Sequence, residues 1–549
     1  MIVKSEKRKV NSEKKEMMFF LKIALFTIHF SFFIILYSCG DSIKIDDSKV
    51  FRLNRYDGVS SLDPAFAKTQ SNIWMTNQLF NGLVQLDNQL HVKPSIAKRW
   101  DISEDGKTYR FTLRKDVFFH KNKVFKSKET RKVIANDFVY SFNRLLDKQT
   151  ASPGGWVLAN VKDFKALNDT VFEINLKEAF PPFLGLLSMQ YCAVVPKEAV
   201  VFYGSDFRSN PVGTGPFQFK IWEENVKLVL RKNPLYFEKD SKGESLPYLE
   251  AVAVTFLPDK HSEFLQLIQG NLDFISGLDP SYKDELISVS GELNTKYQGK
   301  LHLEKQSYLN TEYLCFYLDN ENAVDKRLRQ AINYGFDRRK VIQYLRNNIG
   351  TPATGGMIPD GLPSYFEKGY HYQPKKAKKL IEAYKKEEGS VPEIELTTTS
   401  DYLNICEYLQ AELNKLGLKI QINVTPGSTL REGKANGKFP FFRVSWIADY
   451  PDGENYLSLF YSKNHAPNGP NYSHFKNAQF DQWYEAALKE TSDLKRRILY
   501  QKMDSLMLSE APIVPLYYDE VTVFINQKVQ NFKSNPINLL NLKEVWKKK

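Results

Sequence analysis

The chain has 549 residues, of which 26% are charged and 42% hydrophobic, and it carries a net charge of +12. That length exceeds what one hydrophobic core supports, so two or three domains are expected. The lysines are scattered rather than clustered, which reads as a solvated surface, and no nucleic-acid partner is expected.

Residues 1–22 are lysine-rich, and residues 23–40 then run as IALFTIHFSFFIILYSCG without a formal charge. This is the pattern of a targeting segment. A single membrane-spanning helix is the competing reading, because about 18 uncharged residues approach the minimum for crossing a bilayer. Leu36-Tyr37-Ser38-Cys39 resembles the bacterial lipobox, although Tyr37 is bulkier than the small residue usual there. The resemblance implies a signal peptide at 1–38, a lipidated Cys39, a tether over 39–49, and Met17 or Met18 as alternative starts. Both readings place the folded part outside the cytoplasm, with a lipid-anchored protein of the bacterial cell envelope as the expectation. Seven Lys/Arg and three Asp/Glu precede Cys39, so the mature charge is about +8. Cys192, Cys315 and Cys406 follow without CxxC spacing, and an odd number leaves at least one thiol over. All three sit among apolar residues and are expected to be buried and inert.

In chain order, closely spaced glycines in VGTGPF (212–217) predict a tight turn entering the strand FQFKIW rather than a phosphate loop. Asp325 predicts an N-cap for a helix through Leu328, Ala331 and Ile332, and Asp337 caps a further helical stretch. A Pro-led amphipathic helix follows from Pro374, with Ala377, Leu380, Ile381 and Tyr384 on one face. EIELTTT (393–399), a helix over 402–416 and LKIQINV (418–424) form a βαβ unit, whose crossover should be right-handed. No Ser/Gly linker or repeat separates domains, so segments crossing back and forth between lobes are expected.

Catalytic signatures are missing: the sequence has no HExxH, no GxSxG and no GxxxxGK[ST]. His465 and His474 are the closest histidine pair and too isolated to make a metal site, so no metal or cofactor is expected. Asp449 and Asp452 are a carboxylate pair of the type a glycosidase uses, but nothing sets their pKa values apart. The informative stretch is FFRVSWIADYPDGENYLSLFYS (441–462). In a strand, positions 443, 445, 447 and 449 share a face, so Arg443 and Asp449 place a cation and an anion on one side of an apolar segment.

Taken together, several segments resemble the extracytoplasmic solute-binding proteins of family 5, in order and spacing. They are SLDPAFAKTQSNIWMTNQLFNGLVQLD, PSIAKRWDISEDGKTYRFTLRKDVFFH, NDFVYSFNRLLD, GTGPFQFKIW with LVLRKNPLYF, NTEYLCFYLDN, VDKRLRQAINYGFDRRKVI, WIADYPDGENYL and APIVPLYY. The resemblance implies an α/β, two-lobed periplasmic-binding-protein-like (type II) fold with an additional inserted domain and a ligand cleft between the lobes. It assigns 50–93, 210–310 and 515–549 to lobe I, 94–209 to the inserted domain and 311–514 to lobe II, with the crossings near Asn310 and Pro515 as hinge.

The implied function is not enzymatic. It is the substrate-binding component of an ABC peptide importer, a monomer that captures short peptides and delivers them to permease and ATPase subunits. Asp449 matches the family position that holds a peptide's α-amino group, and Arg443 one that can face a carboxylate. Free peptide termini are charged, and each must exchange water for an opposite charge in a closed cleft. Backbone pairing is expected along Lys68, Thr69, Gln70 and Ser71 on one side and Ser445, Trp446 and Ile447 on the other. Trp446 is expected to wall a side-chain pocket. Gly154 and Gly155 replace an aromatic frequent in peptide-binding relatives, which points to a wider cleft or a contact shifted to Trp156, and Gly453 replaces a proline and should loosen its turn. Within the family, a nickel chelate or an oligosaccharide is the alternative ligand. Outside it, an exported hydrolase or a peptide-binding sensor or chaperone remains open.

Overall fold

A computed structural model describes residues 46–279, 281–320 and 323–549, so the targeting segment and Cys39 lie outside the described residues. Among the described residues, no helix is long and apolar enough to cross a membrane. The chain enters its main sheet at β1 (Val50–Asn54) and continues into α1 (Gln70–Leu79). Thr69 starts α1 by accepting the Asn72 N–H at 3.3 Å. A separate antiparallel sheet follows, made of β2 (Ala97–Ile102), β3 (Thr108–Leu113), β4 (Val161–Asn168) and β5 (Val171–Leu176), in the order β2-β3-β5-β4. Across it lies α2 (Ala135–Leu146), whose Phe138 and Phe142 meet Phe172 at ring-centroid distances of 5.7 and 5.5 Å. These aromatic contacts fill the space between helix and sheet.

The chain returns to the main sheet through β6 (Phe217–Glu223), β7 (Lys227–Lys232), β8 (Ala251–Thr255) and β9 (Phe274–Ser276). Gly213 and Gly215 precede β6 because the end of α1 leaves no room for a side chain: a Cβ on Gly213 would lie 2.0 Å from the Leu79 carbonyl oxygen. The Gly215 N–H donates to that same oxygen at 2.9 Å. The glycines therefore serve a close backbone approach, as the tight-turn reading requires.

Next come β10 (Leu301–Phe316), α3 (Lys326–Tyr334), α4 (Pro374–Glu388), β11 (Ile394–Thr398), α5 (Leu403–Asn414), β12 (Ile420–Val424), β13 (Phe441–Ile447), α6 (Asp493–Glu510) and β14 (Ile513–Asn526). Asp325 and Asp337 cap their helices as expected, accepting the N–H groups of Arg327 and Arg339 at 2.7 and 3.0 Å. β11 and β12 pair in parallel, Ile394 opposite Ile420, with α5 between them in sequence, which is the expected βαβ unit.

The main sheet has eleven strands in the order β12-β11-β13-β10-β14-β9-β1-β8-β7-β6, with Thr351–Pro352 pairing off this path to β14. Only the long strands β10 and β14 belong to both halves. Leu301–Ser307 pairs with Glu520–Asn526 beside β9, whereas Thr311–Cys315 pairs with Ile513–Tyr518 beside β13. Between the halves, at 308–310, the register breaks. Each half has its own cores, one containing Phe51, Trp74 and Phe217 and another containing Phe316, Leu396 and Leu409. The architecture is two α/β lobes joined by two strands around a cleft. The three cysteines after Cys39 are free and buried, as expected. His465 and His474 are nearer than their separation in sequence suggests, with rings stacked at 4.5 Å, although no cluster of three or more metal-ligating side chains exists among the described residues.

Candidate ligand-binding cleft

The strand β13 forms one wall. Phe442 and Val444 are buried against the lobe's core, while Arg443, Ser445 and Ile447 alternate with them on the less buried side. One edge of β13 pairs with β10, Ile447 opposite Asn310 and Ser445 opposite Glu312. The other edge meets β11 only at Phe442, so among the described residues no strand pairs with Ser445–Ile447 on that side. Free main-chain groups at such an edge are a template for an added strand.

Beyond the end of β13, the Ala448 N–H donates to the Leu309 carbonyl at the register break, and Asp449 follows. Asp449 opens onto a cavity of about 260 Å³ whose wall includes Lys68, Gln70, Trp74, Tyr191, Tyr308 and Ile447. Asp449 is exposed by surface area, yet protein is dense enough around its carboxyl to strip away much of its hydration. Desolvation of this kind raises the carboxyl pKa to about 6, against a hydrogen bond from the Asn455 side chain that lowers it. Asp449 has no ion pair among the described residues. Asn455 fixes its position: the Oδ1 accepts the Asp449 backbone N–H at 3.2 Å and the Trp446 indole N–H at 2.8 Å.

A second chamber of about 420 Å³ shares Gln70, Tyr308 and Asn538 with the first and extends to Arg346, Tyr402 and Tyr517. Arg55 and Arg346 line it and Arg443 lies behind Tyr402, and each has its own carboxylate, Asp57 in the case of Arg55 at 2.8 Å. The Arg443 Nε donates to Glu312 Oε2 at 3.1 Å and its second N–H group binds the same oxygen, with the guanidinium 3.5 Å over the Tyr402 ring. Burial disfavours the Arg443 charge, but Glu312 outweighs it and holds the pKa above the ordinary arginine value. Arg346 pairs with Asp519 and donates to the Tyr517 hydroxyl at 3.0 Å.

The structure separates other predicted site residues. Trp446 points away from the cavity and packs against the core of its own lobe, because strand alternation turns it opposite to Ser445 and Ile447. The second edge is shorter than predicted: Thr69 caps α1, so Gln70 and Ser71 are helical. The Ser71 hydroxyl donates to Asp57 at 2.5 Å and accepts from Arg55 at 2.7 Å, turned into the protein. Trp156 is 46% exposed and absent from both cavity walls. At Gly453 a Cβ would lie 2.6 Å from Ser364 Oγ, so the position has no room for a side chain. Sequence reasoning missed Glu312, Asn455 and Tyr191. A lone Glu in the apolar NTEYLCFYL was a signal for the first, whereas nothing local marked the other two.

A cleft between two lobes joined by paired strands defines a solute-binding protein of the periplasmic type. The chain belongs to the bacterial extracellular solute-binding proteins, family 5, whose middle-region model matches residues 91–468. It is 28% identical over 514 residues to the periplasmic oligopeptide-binding protein OppA of Salmonella typhimurium, covering 87% of this chain and 88% of that protein. It is 26% identical over 485 residues to heme-binding protein A of Haemophilus influenzae, with 84% and 85% covered. Among solved structures, the periplasmic binding protein DppA of Helicobacter pylori, in complex with the peptide STSA, superposes with a TM-score of 0.77 at 25% identity, covering 91% of this chain and 98% of that one.

Proposed function

We propose that this protein is the extracytoplasmic receptor of an ABC peptide importer, holding short peptides in extended form and presenting them to the permease. The observation that carries this reading is the Asp449 carboxylate, free of ion pairs among the described residues, at the end of the open strand edge Ser445–Ile447. A peptide laid along that edge gains main-chain hydrogen bonds independent of its side chains, and its α-ammonium meets Asp449. The oligopeptide-binding relative and the peptide complex of the Helicobacter protein support the same ligand class.

In this reading 50–93, 210–310 and 519–549 form one lobe, 94–209 the inserted domain and 311–518 the other lobe, the second crossing lying at Asp519 rather than at Pro515, and the lobes close about the register break at 308–310. Lys68 and Thr69 supply the opposing edge, and a lipid on Cys39 tethers the monomer to the membrane. Arg443 stays with Glu312, so the amino end is recognised by charge while this arginine is not released to the carboxylate end. Native mass spectrometry of the purified protein is the test. The expected result is a co-purified set of peptides with free amino termini; a single non-peptide solute, a chelate or a sugar, would overturn the reading.

A further inference from the structure

Gly154 adopts φ −91° and ψ 0°, values open to other residues at a turn. Its lack of a side chain has a different cause. A Cβ on Gly154 would lie 2.3 Å from Cδ1 and 2.4 Å from Cγ of Tyr191, so the tyrosine ring rests directly on the glycine backbone. Tyr191 also lines the cavity that holds Asp449. Both segments are fixed. The Ser152 hydroxyl accepts the Gly154 N–H at 3.0 Å and donates to the Ala65 carbonyl at 2.6 Å. Beside Tyr191, the Gln190 side chain donates to Asn77 Oδ1 on α1 at 2.9 Å. The Tyr191 hydroxyl makes no hydrogen bond among the described residues, and burial, with the Asp449 charge adding to it, pushes its pKa up to about 12.

We propose that the Tyr191 ring, seated on Gly154, is the specificity wall of this cleft and limits the size of the ligand's first side chain. The proposal rests on Asp449 anchoring the amino end, because that contact places the first residue against the ring. The same cavity is lined by the carboxamides of Asn77 and Gln190, by Trp74 and Met189, and by Lys68 as its one cation among the described residues, so the side chain accepted there is small and carries no positive charge. The ring cannot retreat from a larger group, since the Gly154 backbone already lies in contact behind it.

The test compares tetrapeptides identical except for Ala or Trp as first residue, by calorimetry on native protein, Tyr191→Ala, Gly154→Ala and the double variant. Native protein should prefer the Ala-first peptide by about tenfold or more, a typical discrimination for an apolar pocket boundary. Tyr191→Ala should narrow that preference to about threefold or less. Gly154→Ala should push the ring into the cavity and widen it, and in the Tyr191→Ala background it should have no effect. An unchanged preference in Tyr191→Ala overturns the proposal, as does a Gly154→Ala effect that persists without the ring. Should Gly154→Ala not fold, the Tyr191→Ala preference decides alone. Acetylating the Ala-first peptide separates the two claims: if native affinity survives acetylation, the amino-end reading fails, whatever Tyr191→Ala does to the preference.

Discussion

Asp449 and Arg443 lie six residues apart at one strand end, and the protein treats them in opposite ways. Arg443 is enclosed with a carboxylate of its own from the neighbouring strand, and an aromatic ring covers its face. Asp449 stands on the cavity wall without a counter-charge among the described residues, and desolvation by the surrounding protein raises its pKa to about 6. The first arrangement is a completed electrostatic unit that adds order to the lobe. In the second, the fold bears a desolvation cost that, on the proposed function, a bound ammonium would relieve. Charge type and spacing in the sequence do not distinguish a structural charge from a functional one; the presence of a resident partner does.

The contrast breaks most severely where the resident partner is removed. Glu312→Ala leaves Arg443 buried and unpaired, and unfolding titration should show a loss of about 3 to 5 kcal/mol of stability. Adding Arg443→Met should recover most of that loss, since the isolated charge is then gone. A stability loss below about 1 kcal/mol for Glu312→Ala would place this pair with surface ion pairs instead.

Asp449→Asn should do the reverse. Peptide affinity should fall by about 2 to 5 kcal/mol, because one partner of a buried charge pair is lost. The melting temperature of the ligand-free protein at pH 7 should rise. A carboxyl whose folded pKa lies above its unfolded value binds more protons in the folded state, so its contribution to stability declines as pH rises through that interval, and the uncharged amide avoids the penalty. Thermal melting that shows Asp449→Asn destabilised would mean that Asp449 has a structural partner after all.

A smaller effect should appear in the pH dependence of binding. The ammonium requires ionised Asp449, so binding holds the folded-state pKa of that carboxyl below about 6. Affinity is then complete above that pH and declines by up to about tenfold per pH unit below it. Above about pH 8 the peptide amine loses its proton and affinity declines again. Asp449→Asn should flatten the acid limb; a limb that survives in the variant belongs to another group.

Much of the fold was legible because its signals are local. The period-two run at 418–424 and the helical spacing of Leu409 and Leu413 mark β11-α5-β12, and the caps at Asp325 and Asp337 need only neighbouring N–H groups. The W-x-x-D setting pointed to Asp449, which the structure places on the wall of the cavity. The Glu312–Arg443 pair was not, because 131 residues separate the two and only the β10–β13 register brings them together. The same holds for Tyr191 on Gly154, where the glycine is dictated by a ring 37 positions away. Trp446 was misplaced for a different reason. The alternation that put Arg443, Ser445 and Ile447 on one face already turned Trp446 to the other, toward Asn455 and the core.

The central claim is that the cleft reads one end of its ligand by charge and not the other. Calorimetry of one tetrapeptide in three forms tests it: free at both ends, N-acetylated, and C-amidated. Acetylation should weaken binding by about 30-fold or more, the loss expected when a buried charge pair loses a partner. Amidation should change affinity by less than about threefold, since Arg443 and Arg346 are already paired with Glu312 and Asp519. Amidation as costly as acetylation would show that an arginine leaves its resident carboxylate for the peptide, and would contradict the account.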